Sequence, residues 1–114
     1  MVITMIGKVM KALTEKDFAA FASCFSEDGK YIDYCPSLNG KNNYFLYGSA
    51  SIEMFMRNRF SFGQLIIAEP EIEDENSATY FGAYEGPYQY AELEIEEYDE
   101  AGLIKKAVAH PAYN

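Results

Sequence analysis

The sequence predicts an α+β domain: a cone-shaped, strongly curved, mostly antiparallel sheet with three helices from the N-terminal half packed on its concave face. Three observations carry this. Apolar residues recur at helical spacing in three stretches before Gly63. Four segments of strand character, joined by short turns, fill most of the remainder. The chain of 114 residues is 49% apolar, which suits one domain with one core over residues 1–114.

The elements follow in order. Ile3, Ile6, Met10 and Leu13 lie at helical spacing and predict an N-terminal helix. Residues 14–17 (Thr-Glu-Lys-Asp) mark a second helix start, with Thr14 as cap and the acids near the positive end of the dipole. Phe18, Phe21, Ala22 and Phe25 form its buried stripe, and residues 26–29 end it as an acidic turn. Residues 30–35 make the first strand. Tyr31, Asp33 and Cys35 point to one face, Ile32 and Tyr34 to the other. Pro36 stops regular ladder bonding. Residues 37–47, with their Asn-Gly and Asn-Asn pairs, read as a loop or a short hairpin that closes over something. Residues 48–51 (Gly-Ser-Ala-Ser) introduce a third helix with Ile52, Phe55, Met56 and Phe60 along one side and Arg57 and Arg59 towards solvent. Strands are then expected at 64–74, 77–85, 88–98 and 103–110, joined by hairpin-type turns, with a bulge or bend at Pro70.

Charge narrows the partners. The formal net charge is −9, and residues 60–104 hold twelve Asp and Glu but no Lys or Arg. A surface of this sign repels phosphate backbones and anionic membranes, so neither nucleic acid nor membrane is expected as a partner. It favours a cationic ligand or a basic partner, or else serves solubility and protects sheet edges. Cys24 and Cys35 fit no zinc or redox spacing. One His, two separated Cys and scattered acids give no metal-ligand spacing, so no metal is expected. No phosphate-cradling glycine loop or dinucleotide fingerprint implies a cofactor. Residues 1–10 lack the pattern of a secretory leader, and no stretch approaches the roughly 20 apolar residues of a membrane span, so a cytoplasmic protein with reduced thiols is the expectation.

Several features together carry a resemblance. They are the aromatic helix over 18–25, the turn Glu27-Asp28-Gly29, the strand ending Ile32-Asp33, the helix opening at 48–52, and the closing hairpin Tyr98-Asp99-Glu100-Ala101-Gly102-Leu103-Ile104. In order and spacing the chain resembles the nuclear transport factor two-like superfamily, within it the SnoaL-like and ketosteroid isomerase-like proteins. The resemblance implies a homodimer, often formed through the sheet, and an apolar pocket. It places Asp33, five residues after Asp28, where ketosteroid isomerases carry their general base. The residues alone leave Asp33 as either a poised acid/base or a solvated strand carboxylate.

The same resemblance sets Glu94 where the isomerases keep an aspartic acid protonated to donate a hydrogen bond. The alternation of Leu93 and Ile95 with Glu92, Glu94 and Glu96 reads instead as a solvated face. The isomerases' tyrosine on the first helix has no counterpart, since Val9-Met10 stands there. That departure argues against steroid isomerisation, although Tyr80, Tyr84, Tyr88 or Tyr90 could supply a hydroxyl. His110, the only histidine, would pair with Asp33 if their strand ends meet, as in dehydratases of this fold. Phe21, Tyr31, Phe55, Tyr80 and Tyr90 are the expected ligand-binding residues. The leading expectation is a small-molecule pocket protein, with Asp33 acting in cofactor-independent acid/base catalysis on a small apolar substrate. The alternative is a non-catalytic ligand-binding or dimerising adaptor module.

Overall fold

A side-chain cap opens each of the first two helices. In the computed structural model, which describes residues 3–112, Thr4 Oγ1 accepts from Gly7 N at 3.1 Å and opens α1 (Met5–Thr14). α1 buries Ile6, Val9, Met10, Ala12 and Leu13, while Ile3 lies ahead of the helix and is exposed. Thr14 does not cap the second helix: its hydroxyl turns back to the Met10 carbonyl at 2.7 Å. Asp17 takes that role, accepting from Ala20 N at 3.0 Å to open α2 (Phe18–Ser23).

α2 is shorter than its aromatic stripe suggests, and Phe25 begins β1 (Phe25–Asp33) rather than ending the helix. The expected acidic turn is instead part of this strand. Phe25 pairs with Ile104 and Lys30 with Lys106, so the extra residues between them form an irregularity in the ladder. Gly29 sits within it, and a Cβ there would lie 2.7 Å from the Ile104 carbonyl oxygen. Residues 37–47, expected as a loop or a short hairpin, follow a 3₁₀ turn, Pro36–Asn39, into an edge strand, β2 (Tyr44–Tyr47), antiparallel to β1. α3 (Ser49–Ser61) buries Ile52, Met56 and Phe60.

Four strands complete the sheet: β3 (Ile66–Asp74), β4 (Ser77–Ala83), β5 (Tyr88–Tyr98) and β6 (Ile104–Pro111). The order is β2-β1-β6-β5-β4-β3, antiparallel throughout except for the parallel β1–β6 pair. The bulge foreseen at Pro70 is present, with the register shifting between Ala68 and Glu71.

The core lies between one sheet face and the helices. Register puts Tyr31 and Asp33 of β1, Ala107 and Ala109 of β6, Leu93 and Ala91 of β5, and Ala78 and Tyr80 of β4 on that inner face. All of them are buried against Ile6, Leu13, Phe21, Ile52 and Met56 from the helices. Each large apolar side chain so buried contributes about 1.5–3 kcal/mol. Alanines opposite the β1 side chains leave room for the tyrosine rings that fill the interior.

Gly82 has the same use on β4, lying in register between the Tyr80 and Tyr84 rings. A Cβ at Gly82 would stand 2.6 Å from Tyr84 Cε2 and 3.0 Å from Tyr80 Cε2, and both rings are buried. Gly82→Ala is therefore expected to cost roughly 1–3 kcal/mol by overpacking, measured by urea denaturation. A variant as stable as the parent would show that the two rings are free to shift.

Candidate functional site

The site is built at the end of β1. Asp33 pairs in register with Ala109 and has no exposed surface. A carboxyl group buried this deeply must take its hydrogen bonds from protein. The Cys35 N–H donates to Oδ1 at 2.8 Å, because the chain turns into the 3₁₀ segment just after the strand. The Tyr31 hydroxyl donates to Oδ2 at 3.4 Å, and the Tyr84 hydroxyl and Cys35 thiol lie close enough to the carboxyl group to lower its pKa. Tyr84 in turn shares a 2.7 Å hydrogen bond with Tyr80.

The electrostatics follow from this burial. Desolvation raises the Asp33 pKa to about 6, with the Tyr84, Cys35 and Tyr31 donors partly offsetting it. Burial first, and the Asp33 charge second, push Tyr31, Tyr80 and Tyr84 well above their ordinary value, so they remain protonated donors. The same two causes push the Cys35 thiol up, leaving it a poor nucleophile.

The cone interior around Asp33 is filled rather than open. Phe21 packs edge-on against Phe25 and Tyr31, each at 5.2 Å between ring centroids. Tyr84 is common to this packed network and to a cavity of about 170 Å³, which Pro36, Lys41, Asn42, Tyr44, Arg59 and Glu85 also line. Two ties shape this mouth. Asn39 Nδ2 donates to the Tyr84 carbonyl at 3.1 Å, and Gln89 Nε2 donates to the Cys35 carbonyl at 3.1 Å. Arg59 lies 4.7 Å above the Phe55 ring and 5.9 Å from Tyr44, and its Nη1 donates to Gln64 Oε1 at 2.6 Å. Among the described residues, two buried side-chain atoms have no partner, Arg59 Nε and Gln89 Oε1.

The sequence-derived candidates divide between the two faces of the sheet. Asp33, Tyr31, Tyr80 and Phe21 are together inside, and Phe55 is half-buried under Arg59. Glu94 is not with them. It pairs in register with Val108, pointing to the outer face with its side chain 43% exposed. His110 lies on that outer face as well, beside Glu92 and Glu94, and the expected Asp33–His110 pair does not form. The reason is strand alternation: Ala109, not His110, shares the face of Asp33. Tyr90 also faces outward, 5.2 Å from Phe81.

The residues missed by sequence reasoning are Arg59, read as solvent-facing, and Tyr84, left unchosen among four tyrosines. The alternation Tyr80-Phe81-Gly82-Ala83-Tyr84, with a glycine between the tyrosines, is the signal that could have selected Tyr84.

No family model and no curated protein matches the chain. Solved structures do. A SnoaL-like protein of unknown function from Burkholderia thailandensis is 14% identical with a TM-score of 0.57, covering 93% of this chain and 89% of that one. A hypothetical protein with a ketosteroid isomerase-like fold from Catenulispora acidiphila, in complex with trimethylamine, is 14% identical with a TM-score of 0.62, covering 96% and 85%. The fold is that of the SnoaL-like and ketosteroid isomerase-like proteins. A putative ketosteroid isomerase from Kribbella flavida is similar too, at 16% identity and a TM-score of 0.57 over 96% of this chain and 76% of its own. At such identities the likeness establishes the SnoaL-like fold and leaves the chemistry to the site. No helix among the described residues is long and apolar enough to cross a membrane.

Asp33 gives a pH-dependent prediction. Its folded pKa lies above its unfolded value near 4, so its contribution to stability is complete below about pH 4 and is lost as pH rises through about 6. Asp33→Asn cannot ionise. Its stability relative to the parent should therefore rise between pH 4 and 7.5, by roughly 3 kcal/mol in total. Denaturant melts at three pH values measure this, and parallel pH profiles for the two proteins would refute it.

Proposed function

We propose that the protein binds a small polar molecule at the mouth of the SnoaL-like cone and that Asp33, acting through Tyr84, is its acid/base group. The observation that carries this reading is the position of Tyr84, which lies close enough to the buried Asp33 carboxyl group to lower its pKa and also lines the mouth cavity. The cavity lining supplies the ligand chemistry. Arg59 Nε, a buried donor without a protein partner, suits a carbonyl or carboxylate oxygen. Lys41 and Arg59 face Glu85 across the same space, so a polar ligand fits better than the apolar one the fold alone suggested. The volume suits a ligand of a few heavy atoms, the scale of the trimethylamine in the Catenulispora neighbour.

The chemistry is a relay. With a pKa of about 6, Asp33 is mostly ionised near neutral pH and accepts the Tyr84 proton as Tyr84 takes one from the ligand. Tyr84 thereby carries no lasting charge, as its strongly raised pKa requires.

A fragment screen by ligand-observed NMR tests both parts. Carbonyl- or carboxylate-bearing hits should bind the parent and weaken about tenfold or more in Arg59→Gln, the scale of a lost charge-assisted bond. Asp33→Asn should retain binding while abolishing any turnover of such hits. Fragments that bind Arg59→Gln as well as the parent would place the ligand elsewhere.

A dimer is the second reading, supported by aromatic surface on the outer sheet face. Tyr34 and Phe45 pack together there, as do Phe81 and Tyr90, and Tyr34, Phe45, Phe81 and Tyr88 are all exposed. Sedimentation at micromolar concentration should give twice the 12.9 kDa chain mass, and Phe45→Glu or Phe81→Glu should return it to one chain. A parent sedimenting only at 12.9 kDa would end this reading.

A further inference from the structure

The outer face gathers a second set of chemically able side chains, separate from Asp33 and its tyrosines. Glu92 and Glu94 are two residues apart on β5, and so project to the same side. His110 on β6 lies directly opposite Glu92 in the antiparallel register. Its Nε2 stands 3.7 Å from Glu92 Oε1 and 3.5 Å from Glu94 Oε1, and the three side chains are each half-buried. One donor atom from each residue lies within 4.8 Å of the other two.

The other imidazole nitrogen decides what this arrangement can hold. His110 Nδ1 is 3.0 Å from the Pro111 carbonyl oxygen. A carbonyl oxygen only accepts, so Nδ1 must carry the hydrogen. In the neutral ring Nε2 then presents a lone pair to two carboxylates. Three electron-pair donors meeting at one point call for a cation between them. An Nδ1–H bond to a backbone carbonyl is also how metal-bound histidines are held in the ligating tautomer.

We propose that Glu92, Glu94 and His110 form a site for a divalent transition-metal ion such as Zn²⁺ on the outer face of the sheet. The two His–Glu distances agree with this. Ligands about 2.0–2.2 Å from a tetrahedral zinc lie about 3.3–3.6 Å from one another, and the two His–Glu distances fall within about 0.2 Å of that range. One imidazole and two carboxylates are a donor set that zinc uses, and they leave its fourth position open to water. The two glutamates also border an open groove of about 460 Å³ whose rim includes Asp74 and Glu75, so the local field draws cations in. Lys106 on β6 does not compete, being paired with Glu96 at 3.3 Å. All three donors come from one hairpin, so the site needs no second chain.

A proton is the competing occupant, since a protonated His110 would sit equally well between the glutamates. Burial lowers the His110 pKa, but the Pro111 carbonyl, Glu94 and Glu92 more than reverse this and raise it above its ordinary value. Proton and metal therefore exclude each other at Nε2, and metal affinity should fall as pH drops through the histidine titration.

Because His110 is the only histidine in the chain, its ring protons give an unambiguous NMR signal. Untagged, chelator-treated protein would be titrated with ZnCl₂ at pH 7.5. One equivalent should shift the His110 resonances to a new saturated position and abolish their pH titration. Calorimetry should show the affinity falling at least roughly tenfold in His110→Gln, Glu92→Gln and Glu94→Gln, the scale on which even outer partners of a metal-bound histidine act. Glu100→Gln, in the β5–β6 turn, should bind as the parent does. Unmoved His110 resonances at one equivalent would overturn the proposal without any variant. So would zinc affinity unchanged in folded His110→Gln, which would assign binding to surface carboxylates alone.

Discussion

A carboxyl group with no exposed surface has to find every hydrogen bond within the protein, and at Asp33 that requirement ties several elements together. Its oxygens are met by the backbone N–H of Cys35, where β1 turns into the 3₁₀ segment, and by the Tyr31 hydroxyl of β1, with the Tyr84 hydroxyl, just beyond β4, close by. Those tyrosines need space, which Gly82 supplies on β4 and Ala107 and Ala109 supply on β6. The small residues, the aromatic interior and the buried acid are thus parts of one packing solution. Removing a donor would leave the carboxyl group under-satisfied, and adding a methyl group would displace the rings that carry the donors.

The parallel β1–β6 pair makes this arrangement possible. It seats the early strand beside the last one, so that Asp33 faces Ala109 and residues from both halves of the chain share one core. It also divides the chemistry by parity. Odd-numbered residues 31, 33, 107 and 109 face inward, and even-numbered 108 and 110 face outward with Glu92 and Glu94. The inner face holds a desolvated acid with its tyrosines; the outer face holds a charged, half-buried triad. The two sets share a sheet but not a solvent environment.

Much of the architecture was legible because it rests on local pattern. The four late strands and their turns follow from alternation and from Gly, Pro, Asn and Asp placement, and Pro70 announced its bulge. That Tyr31 and Asp33 share a face followed from the two-residue period of a strand, and that this face is the inner one followed only from packing. The boundary errors at Thr14 and Phe25 have a shared cause. Thr14 and Asp17 both have capping side chains, and Phe25 fits a helical stripe or a buried strand equally well. What separates them is the contact of residues 25–30 with β6, nearly eighty positions away in sequence.

The sites were less legible because they depend on which distant strands meet and on which face. Placing Glu94 and His110 with Asp33 required a register that residue types do not encode. Arg59 is drawn over Phe55 and Tyr44 by tertiary packing that a helical pattern cannot reveal. Composition and short-range periodicity were enough for the α+β class, the acidic second half and the shared face of Tyr31 and Asp33. Only tertiary packing fills the cone with tyrosines, seats Tyr84 at the rim of the mouth cavity, and sets His110 beside two glutamates instead of Asp33. Those outcomes depend on long-range register, in which a shift of one residue carries a side chain from one face of the sheet to the other.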